Sequence, residues 1–473
     1  MAAELFRAGA GAKAYAKILA DMRVARLDDS AATQVAGKFP FEERVPDRLL
    51  DPEGAPVASL QAQVIFHPLQ RIAECFASAR DDASSVNVAG EVESGGSEAR
   101  GLSPRLEMVL DIMKPLHGVI YDCLHAINSK TAAGLSGLHV AWLHRLIPKW
   151  TRTKDGVTPE LRDNGAFQSI VVQLARLYAG ALCANGVLYF SSSKLIPLVK
   201  KSVDEGGAPS QVPAEVKHFQ GSYVSDDIET GEGGGTSSSD GLSSTSQVKI
   251  RPICCLEILR RLGDAVLAKL LRIVVERELA VVQMGVAPGG IENVVHAVQH
   301  FLFSEVRGST PSAKFVIALD LKNAFNALSR ADLVQLIRRI SPQLLPYFRT
   351  SLGVPGPVRM QRSRDLVQTV MARSGVPQGS PLSSLLFAMM TMGPLLRAQH
   401  EHPGVRIMAA HDDAYILAAD AQEGYSYALV ALFKYFRMLS LELCVEKTVI
   451  YSPTEDVTSD AFAPTWGRFR RSS

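Results

Sequence analysis

The stretch 407-IMAAHDDAYILAA-419 sets two adjacent aspartates, Asp412 and Asp413, between two runs of small and apolar residues. The runs read as two strands joined by a turn at His411, Asp412 and Asp413. Side-by-side carboxylates oppose each other's ionisation unless a cation neutralises them, so something positive is expected nearby. Upstream, 314-KFVIALDLKNAFNAL-328 opens with an apolar run from Phe315 to Leu319, reaches Asp320 and then turns helical. That pattern is a buried strand carrying a carboxylate at its C-terminal end. Taken singly, the Asp-Asp pair is more often a solvated turn, and an aspartate at a strand end more often a helix cap. If the strands are neighbours in one sheet, three carboxylates converge. Oxygen donors of this kind suit Mg²⁺, which takes a couple of carboxylates and fills its shell with water and phosphate. Two such ions about 4 Å apart activate a hydroxyl nucleophile and stabilise a leaving pyrophosphate.

A third stretch, 374-SGVPQGSPLSSLLFAMMTM-392, joins a turn fixed by two prolines and two glycines to an apolar helix. The first turn of that helix is expected to carry Ser380, Ser383 and Ser384. Gly379 leaves room for another molecule to approach closely, and a helix N-terminus favours phosphate. The Met389, Met390 and Met392 cluster reads as core packing.

The bulk composition is that of a globular protein. The 473 residues are 47% hydrophobic, enough for two or three domains, and a net charge of +2 does not by itself argue for a nucleic-acid partner. Six cysteines lack the CxxC spacing of zinc or redox motifs, which favours free, mostly buried thiols in a reducing compartment. The N-terminus has helical periodicity without the continuous apolar core of a signal peptide. No apolar run approaches the roughly 20 residues that span a bilayer, so a soluble protein is expected.

Composition also divides the chain. Residues 1–78 read as helices and loops, and 79–103, rich in Ser and Gly, as a flexible linker. Helical patterning resumes from 104 to 201. Residues 202–247, including DDIETGEGGGTSSSDGLSSTS, read as a disordered acidic insertion at a surface turn. It separates SSKLIPLVKK from VKIRPICCLEILRRL, two basic strand-like segments expected to pair as neighbours. A helix and the turn 283-QMGVAPGG-290 follow.

In order and spacing, LDLKNAFN, SGVPQGSPLSSLLF and AAHDDAYIL resemble motifs A, B and C of reverse transcriptases, in the version of non-LTR retrotransposons. They are most similar to trypanosomatid elements that insert into spliced-leader genes. TAAGLSGLHVAWLHRLIP resembles the extra N-terminal motif of these enzymes, VKIRPICCLEILRRL the fingers segment, QMGVAPGGIENVVHAV the segment before motif A, and the first fifty residues a helical leader. The resemblance spans about residues 105–450. It implies an α+β right-hand polymerase fold with a helical N-terminal extension, fingers at 104–201 and 248–315, and an antiparallel palm sheet at 316–451. The tail, 452–473, leaves no thumb of typical size after Lys447.

The resemblance also assigns roles. It makes Asp320, Asp412 and Asp413 the metal ligands, with the backbone carbonyl of Leu321 on the second of two Mg²⁺ ions, a place Mn²⁺ can take. Phe325 becomes a steric gate against a 2′-hydroxyl, and otherwise reads as a core aromatic at helical spacing. Gln378 and Gly379 line the nucleotide pocket, Arg251 and Lys249 grip the triphosphate, and Lys447 in LELCVEKTVI is a general acid near the departing pyrophosphate. RNA template, DNA primer or target DNA, and dNTPs are the implied partners, with no membrane, and the nucleus the implied location. Two positions depart from the family: Ala410 stands where it keeps Tyr or Phe, and Ser440 where it keeps Gly. The expected activity is therefore RNA-directed DNA polymerisation, with a truncated, inactive remnant that at most binds nucleic acid as the alternative. An RNA-dependent RNA polymerase would carry a second acid where Phe325 stands. His296, His300, His400 and His402 read as surface or capping residues, and Arg260 and Arg261 equally as template-phosphate contacts or a solvated face.

Overall fold

The computed structural model describes residues 60–81, 104–147, 161, 163–199, 250–304, 314–361, 366–420 and 422–453. The N-terminal leader, Lys249, most of the expected linker and the acidic insertion lie outside the described residues. The chain divides into two compact units, the larger holding residues 39–194, 254–359 and 369–473. Among the described residues, the smaller unit consists of parts of four strands, β1 (Ser193–Val199), β2 (Ile250–Leu256), β5 (Gly356–Gln361) and β6 (Val367–Ala372). These strands run in the order β2-β1-β5-β6, so the segments flanking the insertion are neighbours as their pattern implied. Within the larger unit β1 lies parallel to β5, with Ser193 opposite Val358.

The larger unit is built around three helices. In α1 (Leu60–Asp81), Phe66, Leu69 and Ile72 are buried, and the helix runs through Asp81, past the expected start of the linker. It packs on α2 (Gly165–Tyr178), which Asn164 caps by accepting from the Phe167 N–H. Both pack against α3 (Ile258–Leu279), whose Leu262, Val266, Leu267, Leu271 and Val275 are fully buried. Where α2 crosses α3, Gly263 lets the helices close: a Cβ there would lie 3.2 Å from Leu177, and the Tyr178 hydroxyl donates to the Gly263 carbonyl at 3.2 Å.

A second, wholly antiparallel sheet has the order β10-β3-β8-β7. Its strands are β3 (Phe315–Leu319), β7 (Val405–Ala410), β8 (Asp413–Ala418) and β10 (Val449–Tyr451). Alternate residues face opposite ways along each strand. Ile317, Ile407 and Ile416 join the main core, which holds Leu385, Leu386 and Phe387 of α5 (Ser383–Glu401), while Val316, Met408 and Leu417 form a second cluster with Val294, Val298 and Phe301 of α4 (Gly290–Phe303). Apolar packing on both faces explains why β3, β7 and β8 read as near-continuous apolar runs. Four of the six cysteines, Cys123, Cys254, Cys255 and Cys444, are buried. Among the described residues, no helix is long and apolar enough to cross a membrane. The arrangement is a mixed helix-and-strand fold with an antiparallel sheet, compatible with the α+β expectation.

Candidate active site

Strand register decides which acids meet. Leu319 of β3 pairs with Ala414 of β8, so the next step along each strand sets Asp320 beside Asp413. Asp413 is the first residue of β8 and pairs with Ala410, which leaves His411 and Asp412 as a two-residue turn. The turn is therefore one residue shorter than its sequence suggests. His411 has φ 60°, and a positive φ at the first central residue marks a primed hairpin turn, a place that usually takes glycine. Burial holds the His411 imidazole below its usual pKa, with the Asp412 carboxylate opposing in part.

After Asp320 the chain does not turn helical at once. Leu321 and Lys322 form the short strand β4, antiparallel to β9 (Glu442–Leu443), and a helical turn at Ala324–Ala327 follows. The Cys444 N–H donates to the Asp320 carbonyl at 2.7 Å. By the alternation of an antiparallel ladder, Leu321 and Leu443 are then the pair without mutual backbone bonds. The Leu321 carbonyl is directed away from β9. Lys447 reaches back across the same junction, its Nζ 2.5 Å from Asp320 Oδ2, with both side chains partly open to solvent.

These donors fit a divalent cation of the magnesium type. Carboxylates at adjoining strand ends and a nearby carbonyl are hard oxygen ligands, and the ammonium of Lys447 shows that Asp320 already attracts positive charge. Among the described residues, no three or more His, Cys, Asp or Glu side chains are grouped so as to hold a metal ion by themselves. Magnesium does not require such a group, because it keeps several water or phosphate oxygens in its shell.

The loop between β6 and α5 docks directly on the turn that follows β4. The Val376 N–H donates to the Phe325 carbonyl and the Gly375 N–H to the Leu328 carbonyl, each at 2.7 Å. The Ser374 hydroxyl donates to the Asn326 carbonyl at 2.7 Å, and Arg330 Nε to the Gly375 carbonyl at 2.8 Å. Phe325 is half-buried, with its ring 5.0 Å from that of Phe387. Gln378 accepts the Cys254 N–H at its carbonyl, and Gly379 is exposed with φ 121°. Ser380 precedes α5 rather than lying in its first turn. Its hydroxyl donates to Asp264 Oδ2 at 2.6 Å.

That last bond reveals a group the sequence had not singled out. Asp264 on α3 is fully buried, and it accepts from Arg260 Nε at 3.1 Å, from the Tyr347 hydroxyl and from Ser380. Arg260 also donates to the carbonyls of Phe190 and Ser351. It is thus neither a template contact nor on a solvated face, since only 3% of it is exposed. Glu257, at the start of α3, is likewise buried and accepts from the Ser136 N–H and hydroxyl and from Tyr189. A Cβ on Gly134 would lie 2.8 Å from Glu257 Cα. This approach docks Gly134 and Ser136 against the start of α3. The only local signal for Asp264 was its spacing of four from Arg260.

The structure thus gathers Asp320, Leu321, Asp412, Asp413 and Lys447 at one end of the antiparallel sheet, and Phe325, Gln378 and Gly379 at the loop docked beside β4. Arg251 is exposed on β2 in the smaller unit, and Lys249 lies outside the described residues. No curated protein matches the chain. Residues 243–461, a little under half of it, match the family described as reverse transcriptase (RNA-dependent DNA polymerase). That match takes in the sheet, the docked loop and every acid just described, and supports a reverse transcriptase domain in this segment.

Proposed function

We propose that the chain is an RNA-directed DNA polymerase of the non-LTR retrotransposon type, extending a primer 3′-hydroxyl with deoxynucleotides on an RNA template. The observation that carries this reading is the β3–β8 register, which sets Asp320 beside Asp413 and next to the Asp412 turn. Asp320, Asp412, Asp413 and the Leu321 carbonyl hold the divalent cations. When bound, these ions supply charge neutralisation for the attacking and leaving oxygens. Phe325 lies under the sugar of the incoming nucleotide, where its ring excludes a 2′-hydroxyl, and Gln378 and Gly379 line the pocket beside the templating base. Lys447 leaves Asp320 as the nucleotide enters and carries its proton toward the departing pyrophosphate. Arg251 and Lys249 receive the triphosphate.

Primer extension on an RNA template with Mg²⁺ and dNTPs tests the reading, with an Asp412→Ala, Asp413→Ala double variant as control. Extension by the parent chain that the variant loses is the expected result. A folded parent that extends nothing would favour a non-catalytic protein that at most binds nucleic acid. Within an active enzyme, Phe325→Val should raise incorporation of ribonucleotides relative to deoxynucleotides by about tenfold or more, the effect of removing a clash from a discriminating pocket.

A further inference from the structure

The outer edge of β7, the side away from β8, is satisfied residue by residue. Gln399 of α5 accepts the Ile407 N–H at 2.7 Å and donates to the Val405 carbonyl at 2.6 Å, standing in for a neighbouring strand. Two residues on, the Ala409 N–H donates to the Val282 carbonyl at 2.7 Å. Two further on, Gln283 takes both backbone groups of His411: its Oε1 accepts the His411 N–H at 3.0 Å and its Nε2 donates to the His411 carbonyl at 3.1 Å. Gln283 Nε2 also donates to Thr391 Oγ1 at 2.8 Å, and Thr391 is in turn bonded to the Phe387 carbonyl of its own helix. Both Gln283 and Thr391 are buried.

His411 is the residue whose backbone most needs holding. A non-glycine side chain at positive φ is strained by about 1–3 kcal/mol and persists only where its surroundings over-determine it. Here the surroundings are a buried amide gripping the peptide groups on both sides of the strained Cα, with Gly285 beneath: a Cβ at Gly285 would lie 3.1 Å from Ala410 Cα and 3.2 Å from the His411 ring. The strained residue directly precedes Asp412 and Asp413. From this we infer that Gln283 is a positioning residue, which fixes the backbone of the turn and thereby the place of both aspartates relative to Asp320. The inference rests on the polymerase reading for its consequence in turnover, but not for its geometry.

Gln283→Met keeps the volume and removes the hydrogen bonds, and Gln399→Met does the same about 13 Å further along the same strand edge. In hydrogen-exchange measurements on the full chain, Gln283→Met should speed exchange across 409–413 by about tenfold or more, with Gln399→Met leaving that segment as in the parent. Turnover should fall about tenfold or more in Gln283→Met with the dNTP KM within about twofold, while Gln399→Met lowers the melting temperature and keeps its turnover. Mn²⁺ affinity should weaken only in Gln283→Met. Unchanged exchange across 409–413, or a turnover loss no larger than that of Gln399→Met, overturns the inference. A parent that extends no primer overturns the polymerase reading instead, and exchange together with Mn²⁺ affinity then decides the role of Gln283.

Discussion

At the scale of single residues, burial separates side chains that look alike in sequence. Cys254 and Cys255 stand together after the basic segment of β2, yet both thiols sit inside the larger unit, and burial pushes the Cys254 thiol up to about 12. The Cys255 thiol is raised for the same reason. Thiolate is the reactive form, so neither should alkylate at pH 8 while the fold is intact. Cys183 is exposed. Iodoacetamide followed by peptide mapping should therefore mark Cys183 first and leave Cys254 and Cys255 unmodified until denaturant is added. Prompt labelling of Cys254 in the folded chain would contradict its burial. The same contrast explains Arg260 and Arg261, adjacent in sequence: one is sealed in an ion pair with Asp264 and the other reaches the half-buried rim of α3. Composition and periodicity do not distinguish such neighbours, because what surrounds the first is the Tyr347 ring and the carbonyls of Phe190 and Ser351, all distant in the chain.

At the scale of elements, the loop before α5 is held by main-chain bonds, which makes one glycine decisive. Gly375 has φ 67°, and a Cβ there would lie 2.3 Å from the Phe325 carbonyl oxygen and 2.4 Å from Asn326 Cα. Both obstacles are backbone, so a side chain cannot be accommodated by a rotamer change. Gly375→Ala should lower stability by about 2 kcal/mol or more, combining left-handed strain with loss of the bonds from the Gly375 N–H to Leu328 and from the Val376 N–H to Phe325. A urea melt checks the first effect, and nucleotide KM the displacement of Gln378 and Gly379. An unchanged midpoint would show that the loop does not depend on this contact. The sequence marked the loop as a tight turn feeding a helix, and β3, β7 and β8 as strands, because Pro, Gly and apolar runs act locally. It placed Ser380 inside the helix because the competing partner, Asp264, lies on another helix. Gln283 was legible only as the start of a turn, since a buried amide that pairs with a distant hairpin looks in sequence like any polar residue after a helix. Ser440, where a glycine is usual in the resembled motif, proves to sit at φ 62°, the conformation that makes glycine the preferred residue.

At the scale of the whole molecule, the distribution of charge around the sheet end ties metal affinity to Lys447. The apolar patterns of three strands were enough to anticipate one sheet and the meeting of Asp320 with Asp413, but not that an ammonium from beyond β9 would rest on Asp320. Any cation that Asp320 holds must share that carboxylate with Lys447 or displace it. The pair is partly solvent-exposed, so its net strength is at most about 1 kcal/mol. Lys447→Met should therefore tighten Mg²⁺ binding, by no more than about fivefold. Ligand that binds only the folded state stabilises it by about 2.7 kcal/mol at one hundred times its Kd, so the effect is readable as a melting shift across a Mg²⁺ series. The variant's shift should set in at lower Mg²⁺ than the parent's, and Asp320→Asn should weaken or abolish it. Under the proposed role of Lys447 at the leaving pyrophosphate, turnover should nevertheless fall in Lys447→Met. Tighter binding with slower chemistry would separate the two roles of one lysine. Weaker Mg²⁺ binding in Lys447→Met would mean that Lys447 holds Asp320 in place for the ion rather than competing with it.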